Sequence, residues 1–251
     1  MTLIWKNVGE TPLESLDNYK KENGISPITK AVCCGRLDPM AQGYIICLFG
    51  LDCKLMKNYL GLSKEYSVNA ILGISTDTGD ALGIVTKTTI ISSKDVENFT
   101  EKIKQYNGKH FTHPYPSYSS FVLRSKKDES VKKPLWWFAI NDRLNEVDIP
   151  SKEIFLFKTS INRIKFIPAE KYIDSITIDI NKINKKHNFR QSEILENWQK
   201  FDKEIILVSI NIQIIASSGA YVRQIIELLG KEVGIACHSH LITREAFLDK
   251  K

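Results

Sequence analysis

Asp38 stands in the segment Gly35-Arg36-Leu37-Asp38-Pro39-Met40-Ala41-Gln42-Gly43, the densest cluster of unusual residues in the chain. Pro39 biases Asp38 toward an extended backbone, and glycines at both ends permit positive φ or close approach, so the segment reads as a loop. Tyr44 to Phe49 follows as a short apolar run that can be buried, anchoring the loop to a core. A carboxylate held this way could serve as a nucleophile or a general base. The plain alternative is a turn-forming Asp-Pro without function. Three other searches carry less. Asp77-Thr78-Gly79 spells the aspartic-protease triplet, but a proton-sharing pair needs a second copy, which the sequence lacks, and a tight turn explains it better. Cys33-Cys34 with His238 and His240 lacks the two-residue spacing of a zinc site, and no Gly-rich phosphate loop is present.

The elements that must hold Asp38 follow from period and capping. Thr11-Pro12-Leu13-Glu14 reads as a capping box opening a helix to about Lys21, stopped by Asn23-Gly24. A second helix is expected from about Lys94 to Tyr106, capped by Ser92 or Ser93 and ended by Asn107-Gly108. Tyr66, Val68, Ala70 and Leu72 alternate with polar residues, the two-residue repeat of a half-buried strand. Further strands are expected at Ile154 to Phe157, Ile161 to Phe166, Ile176 to Ile180 and Ile205 to Ile215. Ser217-Ser218-Gly219 leads into a helix whose Val222, Ile225, Ile226 and Leu229 make a buried stripe stopped by Gly230. Long strands, few helices and no regular strand-helix-strand alternation predict an α+β fold on a mixed, largely antiparallel sheet.

Between Pro168 and Lys203 the composition shifts toward Lys, Asn and Asp, with Lys182, Lys185, Lys186, Arg190, Lys200 and Lys203. Ile194, Leu195, Trp198 and Phe201 predict a short amphipathic helix that Ser192 could cap. This stretch reads either as a solvated excursion from the sheet or as a basic arm that grips RNA phosphates. No linker or fixed-period repeat divides the chain, so residues 1–251 are expected to form a single domain with an insertion at about 168–204.

Composition bounds the setting. The 251 residues are 43% hydrophobic and 25% charged, as in a folded globular chain. No apolar run approaches the roughly 18 to 20 residues of a membrane span, and the first nine residues lack the layout of a secretion signal. Five scattered cysteines fit free thiols in a reducing compartment, so a cytoplasmic protein without membrane association is expected. A formal charge of +6 permits a polyanionic partner.

Taken in order, seven segments resemble the TruB-type pseudouridine synthases. They are Gly35 to Gly43; Lys64-Glu65-Tyr66; Leu72-Gly73 with Thr76-Asp77-Thr78-Gly79-Asp80-Ala81-Leu82-Gly83; Pro116-Ser117-Tyr118-Ser119-Ser120; Lys133-Pro134-Leu135-Trp136-Trp137-Phe138-Ala139; Ser218-Gly219-Ala220-Tyr221-Val222-Arg223; and Gly234 with His238, Leu241 and Arg244. The match covers residues 1–167 and 205–248.

The resemblance implies an isomerase that converts a uridine in RNA to pseudouridine, with Asp38 as the catalytic carboxylate, acting as nucleophile or as base. It implies Arg223 as the partner of Asp38, Tyr66 as the aromatic that stacks on the flipped uracil and helps remove its C5 proton, and Tyr221 as a supporting aromatic. Lys6, Leu241 and Ile242 line the same pocket by analogy. The family's loop carries a His where this chain has Cys33, which leaves Arg36 as the candidate to occupy the space of the flipped base. An isomerisation of this kind requires no metal and no organic cofactor. The chain ends without the C-terminal PUA-type domain many relatives carry, which implies a stand-alone enzyme, a monomer, acting on uridine 55 in the T-arm of tRNA. Two further readings stay open: a catalytically silent RNA-binding or tRNA-folding protein on the same fold, and a pseudouridine synthase acting on another RNA.

Overall fold

The computed structural model describes residues 1–249. In chain order the elements are β1 (Thr2–Lys6), α1 (Pro12–Glu22), β2 (Ala31–Cys34), β3 (Gln42–Phe49), α2 (Met56–Leu60), β4 (Ser63–Leu72), β5 (Ile74–Thr76), β6 (Val85–Thr88) and α3 (Ser93–Gln105). There follow β7 (Lys109–Pro114), β8 (Val122–Arg124), β9 (Lys132–Pro134), α4 (Leu135–Ile140), β10 (Ser151–Pro168), α5 (Ala169–Asn181), α6 (Gln191–Gln199), β11 (Ile206–Ala216), α7 (Val222–Glu232) and β12 (Cys237–Leu248).

One sheet dominates, in the order β1-β3-β12-β4-β11-β10-β7, with β2 paired to β3. Only the β12–β3 pairing is parallel within it, so the fold is α+β on a mixed, largely antiparallel sheet, as the element pattern implied. Its core combines the inward faces of β4 and β11 with the stripe of α7: Val68, Ala70, Ile210, Ile212, Ile225 and Leu229 are all buried. Caps formed as their chemistry dictates. Thr11 and Glu14 close a capping box on α1, and Ser92 and Asp95 close one on α3. The strands expected at 154–157 and 161–166 are one continuous β10, bent by register shifts near Leu156 and Ile161.

Four expectations are corrected. The segment Ile176 to Ile180 is not a strand but the end of helix α5. Alternating isoleucines suggested period two, yet the buried residues Ile173, Ile176 and Ile180 follow the helical period while Ile178 faces outward. Helix α6 is not capped by Ser192; Arg190, in the left-handed region at φ 62°, precedes it without a side-chain cap. Helix α7 does not stop at Gly230 but continues to Glu232, with Gly234 at φ +81° just beyond. Gly230 instead lets β12 pass closely, since a Cβ there would collide with the Cys237 sulfur.

Most consequentially, the 168–204 stretch is not a solvated excursion. Helices α5 and α6 bury Ile173, Ile176, Ile180, Ile194 and Trp198 against Met40, Ile71, Ala81 and Leu207, a second core cluster on the sheet. Much of its charge is paired within the protein: Lys182 to Asp179 at 2.6 Å, Lys200 to Glu196 at 2.7 Å and Arg190 to Asp77 at 2.8 Å. No helix among the described residues is long and apolar enough to cross a membrane.

Candidate active site

Where β3 leaves the Asp38 loop, four neighbouring strands align one residue each in a single row. Lys6 on β1 pairs with Gly43 on β3, Gly43 with Arg244 on β12, and Arg244 with Tyr66 on β4. Gly43 sits at φ +122°, and a Cβ there would run into the Arg244 backbone, so only glycine lets the strands close at this point.

The cations of this row pin the loop by its carbonyls. Lys6, with no exposed surface, donates to Ala41 O at 2.6 Å, to Asn7 O at 3.0 Å and to Pro39 O at 3.4 Å. Arg244, 1% exposed, donates from Nε to Tyr44 O at 2.7 Å and from Nη1 to Arg36 O at 3.1 Å. Their hydrogen bonds go to backbone carbonyls, while Arg244 Nη2 is buried without a hydrogen-bond partner among the described residues. Burial pulls the Lys6 amine down to about 8 despite the nearby charge of Asp38. Tyr66 is buried, and burial raises its phenol above the ordinary value while Arg244 works in the opposite sense.

Asp38 itself remains partly open, its side chain 42% exposed, and meets a guanidinium delivered from the first turn of α7. Arg223 Nε donates to Asp38 Oδ2 at 2.8 Å and Nη1 to Thr78 O at 2.6 Å. Its Nε lies 3.5 Å from Asp80 Oδ2, so one buried cation serves two carboxylates. Burial acts against the charge of Arg223, but Asp38 and Asp80 outweigh it and hold the guanidinium above its ordinary range. Asp80 is raised by burial, with Arg223 pulling against that. The Asp77–Gly83 turn is built to present these groups: Thr78 Oγ1 donates to Asp80 Oδ1 at 2.9 Å, and Leu82 N donates to the same oxygen at 2.9 Å.

A cavity of about 10 Å³ opens beside Asp38, lined by Met40, Asp80, Ser239, Leu241 and Ile242 among others. That is room for about one water molecule. Leu241 takes a left-handed conformation at φ 47° where the β12–β4 register shifts between His240 and Thr243, which aims this part of β12 at the cavity.

The structure therefore gathers Asp38, Arg223, Leu241 and Ile242 directly, with Lys6 and Tyr66 in the row beneath, close enough for the charge of Asp38 to act on both. Tyr221 is the N-cap residue of α7, two positions before Arg223, its ring edge-on to His113 and Tyr115 at 5.8 and 5.6 Å. Burial and then the charge of Asp38 raise its phenol. Arg36 lies exposed at the rim, with Nη1 3.3 Å from Ser120 O. Cys33 lies apart from this group: its sulfur is 3.3 Å from that of Cys47 and 3.6 Å from Pro12 O, between the strands and α1. Sequence reasoning assigned no role to Asp80, although it stands in the Asp77–Gly83 turn, nor to the pinning of the loop by Arg244. The bond from Tyr172 Oη to His238 Nε2, 2.6 Å long, had no sequence signal, because it joins α5 to β12 across 66 residues.

Comparison with known proteins decides the family. The model described as TruB family pseudouridylate synthase (N terminal domain) matches residues 23–166, more than half of the chain. The chain belongs to the TruB family. Among curated relatives, tRNA pseudouridine synthase B of Mycoplasma capricolum subsp. capricolum is 30% identical over 182 residues, covering 67% of this TruB-family chain and 59% of the relative. The protein of the same name from Borreliella burgdorferi is 31% identical over 180 residues, 71% of this chain and 62% of that one. That from Endomicrobium trichonymphae is 24% identical over 186 residues, 74% and 78% respectively. The chain thus spans about three-fifths of the length of the first two. Among solved structures, a chain of a Cbf5–Nop10–Gar1 complex superposes with a TM-score of 0.52 at 13% identity, covering 99% of this chain and 50% of that one. A chain from an H/ACA ribonucleoprotein bound to a substrate RNA containing 2′-deoxyuridine gives 0.51 at 12%, covering 99% and 49%. Both likenesses speak to the fold.

Proposed function

We propose that this TruB-family chain isomerises a uridine in a structured RNA loop to pseudouridine, with uridine 55 in the T-arm of tRNA as the substrate. The observation that carries the reading is Asp38, bonded to the Arg223 guanidinium at 2.8 Å, beside a cavity and within electrostatic reach of a buried tyrosine.

Each residue then has a task that fits its surroundings. Asp38 attacks or deprotonates the ribose, with Arg223 as the counter-charge beside it, a role suited to a group that never loses its proton. Tyr66 stacks on the flipped uracil and assists removal of the C5 proton. Tyr221 supports that wall, while Leu241 and Ile242 close over the base. Lys6 maintains the loop that carries Asp38. Arg36 at the rim fills the space vacated by the base, a duty for which Cys33 is less favourably placed. A cavity of about 10 Å³ does not hold a uracil, so the base enters only as the Asp38 loop or Leu241 gives way. The chain acts as a monomer in the cytoplasm, with α5 and α6 an integral insertion of its catalytic domain.

The direct test incubates the protein with unmodified tRNA and maps pseudouridine at every uridine. Product at position 55 supports the reading; product elsewhere redirects it to another RNA site. Binding without product at any uridine leaves the silent RNA-binding alternative in its place.

A further inference from the structure

Cys33 and Cys47 are opposed residues on the antiparallel strands β2 and β3, so their side chains leave the sheet on the same face. Directly opposed residues of such a pair hold their Cα atoms roughly 4.5 to 5.5 Å apart, inside the span a disulfide bridges. Here the two sulfurs already lie 3.3 Å from each other. The other cysteines do not share this arrangement. Cys34 points into the opposite cluster with Ile46 and Leu48, Cys53 bonds to backbone carbonyls, and Cys237 is buried against α7. Cys33 is partly exposed while Cys47 is fully buried, which assigns them as entry and resolving thiols. The Cys33 thiol is held below its ordinary value by the hydrogen bond from Cys47, with the charge of Arg244 adding to the effect.

What the pair encloses gives it meaning. Strands β2 and β3 are the two stems of the Asp38 loop, and the pair lies fourteen positions apart in the chain with Asp38 between them. The cavity beside Asp38 holds about one water, and Asp38, Met40 and Ala41 of this loop form part of its wall, so a tighter loop bears on admission of the base.

We propose that Cys33 and Cys47 are an oxidisable dithiol, and that its closure by a low-molecular-weight disulfide staples the stems of the Asp38 loop and slows admission of the base. The activity half rests on the isomerase reading; the chemistry does not. The Cys33 thiolate attacks one sulfur of the incoming disulfide and expels one thiolate, leaving a mixed disulfide. Cys47, giving up its proton, attacks the Cys33 sulfur and expels the second thiolate. The protein loses two protons and two electrons, and the small disulfide becomes two thiols.

The test uses the full chain incubated with glutathione disulfide, then alkylated and digested. The expected result is two fewer alkylatable thiols per chain, a Cys33–Cys47 linked peptide, reversal by dithiothreitol, and no link in C47S. C53S should still form it. Amide exchange across residues 35–41 should slow several-fold in the linked protein, and pseudouridine formation should fall about tenfold and recover on reduction. Five alkylatable thiols, or glutathione left on Cys33, overturns the proposal. A linked protein with unchanged exchange and unchanged rate overturns the braking role. If the reduced protein forms no pseudouridine at all, the isomerase reading fails, while the peptide map and the exchange data still decide the dithiol.

Discussion

The Asp38 loop and the α5–α6 insertion are both seated on the sheet, but by opposite means. Buried cations hold the loop through directed bonds from Lys6 and Arg244 to its carbonyls. Hydrocarbon holds the insertion, with Ile173, Ile176, Ile194 and Trp198 all packed out of solvent. Directed bonds fix geometry and add little net stability, because the bonds to water that they replace were nearly as good. Apolar burial does the reverse: it adds stability roughly in proportion to area but is tolerant of small shifts. The loop is thus specified and the insertion is stabilised, which separates the expected effects of mutation.

Asp38→Asn should sharpen that contrast most. It keeps the shape of the side chain and removes its charge, so turnover should fall roughly 10³-fold or more with the melting temperature little changed. Single-turnover rates with calorimetry on the same samples check it; near-normal turnover excludes Asp38 from its role. Trp198→Ala should do the opposite, with a stability loss of about 3–5 kcal/mol from the emptied space. The folded fraction should keep far more of its rate than Asp38→Asn does. A loss of rate matching that of Asp38→Asn, at full stability, would break the comparison.

A smaller effect appears with pH. Lys6 titrates near 8 in the folded protein, below its ordinary 10.5. Below pH 8 it is charged in both folded and unfolded chains, and the full burial penalty applies. Between 8 and 10.5 the folded state has released a proton that the unfolded state retains, so this group makes stability rise with pH. Urea unfolding should therefore show wild type gaining on Lys6→Met across that window; parallel curves would mean that Lys6 is not depressed.

The weakest expected effect concerns the insertion's charge. Lys182 is engaged by Asp179 at 2.6 Å and Lys186 lies 3.8 Å from Glu14, so of the three lysines only Lys185 lacks an ion pair among the described residues. Replacing Lys182, Lys185 and Lys186 together by Ala should lower the slope of log affinity against log salt by about one. A drop near three would restore the arm as a main RNA grip.

The two regions also differed in how much of them could be read in advance. The loop was legible because its chemistry is local: Pro39 and the flanking glycines declare a fixed turn, and a capping box such as Thr11 to Glu14 names its own helix start. The row of Lys6, Gly43, Arg244 and Tyr66 was not, since it depends on strand register across more than two hundred residues. Asp80 showed only as part of a turn, because sharing Arg223 with Asp38 is a tertiary fact. In the insertion, lysines and asparagines on the outer face hid a helical stripe of isoleucines, and alternation at Ile176, Ile178 and Ile180 imitated a strand.

Tyr172 leaves the insertion to bond His238, the residue that precedes Ser239 at the cavity wall, while the other ring nitrogen of His238 meets Ile74 O. Anyone trimming this protein to a minimal catalyst by excising residues 169–204 would strip that imidazole of its phenol and bare the apolar underside of Met40 and Ala81. These two helices are a foundation of the sheet, and shortening the chain there should ruin the chemistry they never touch.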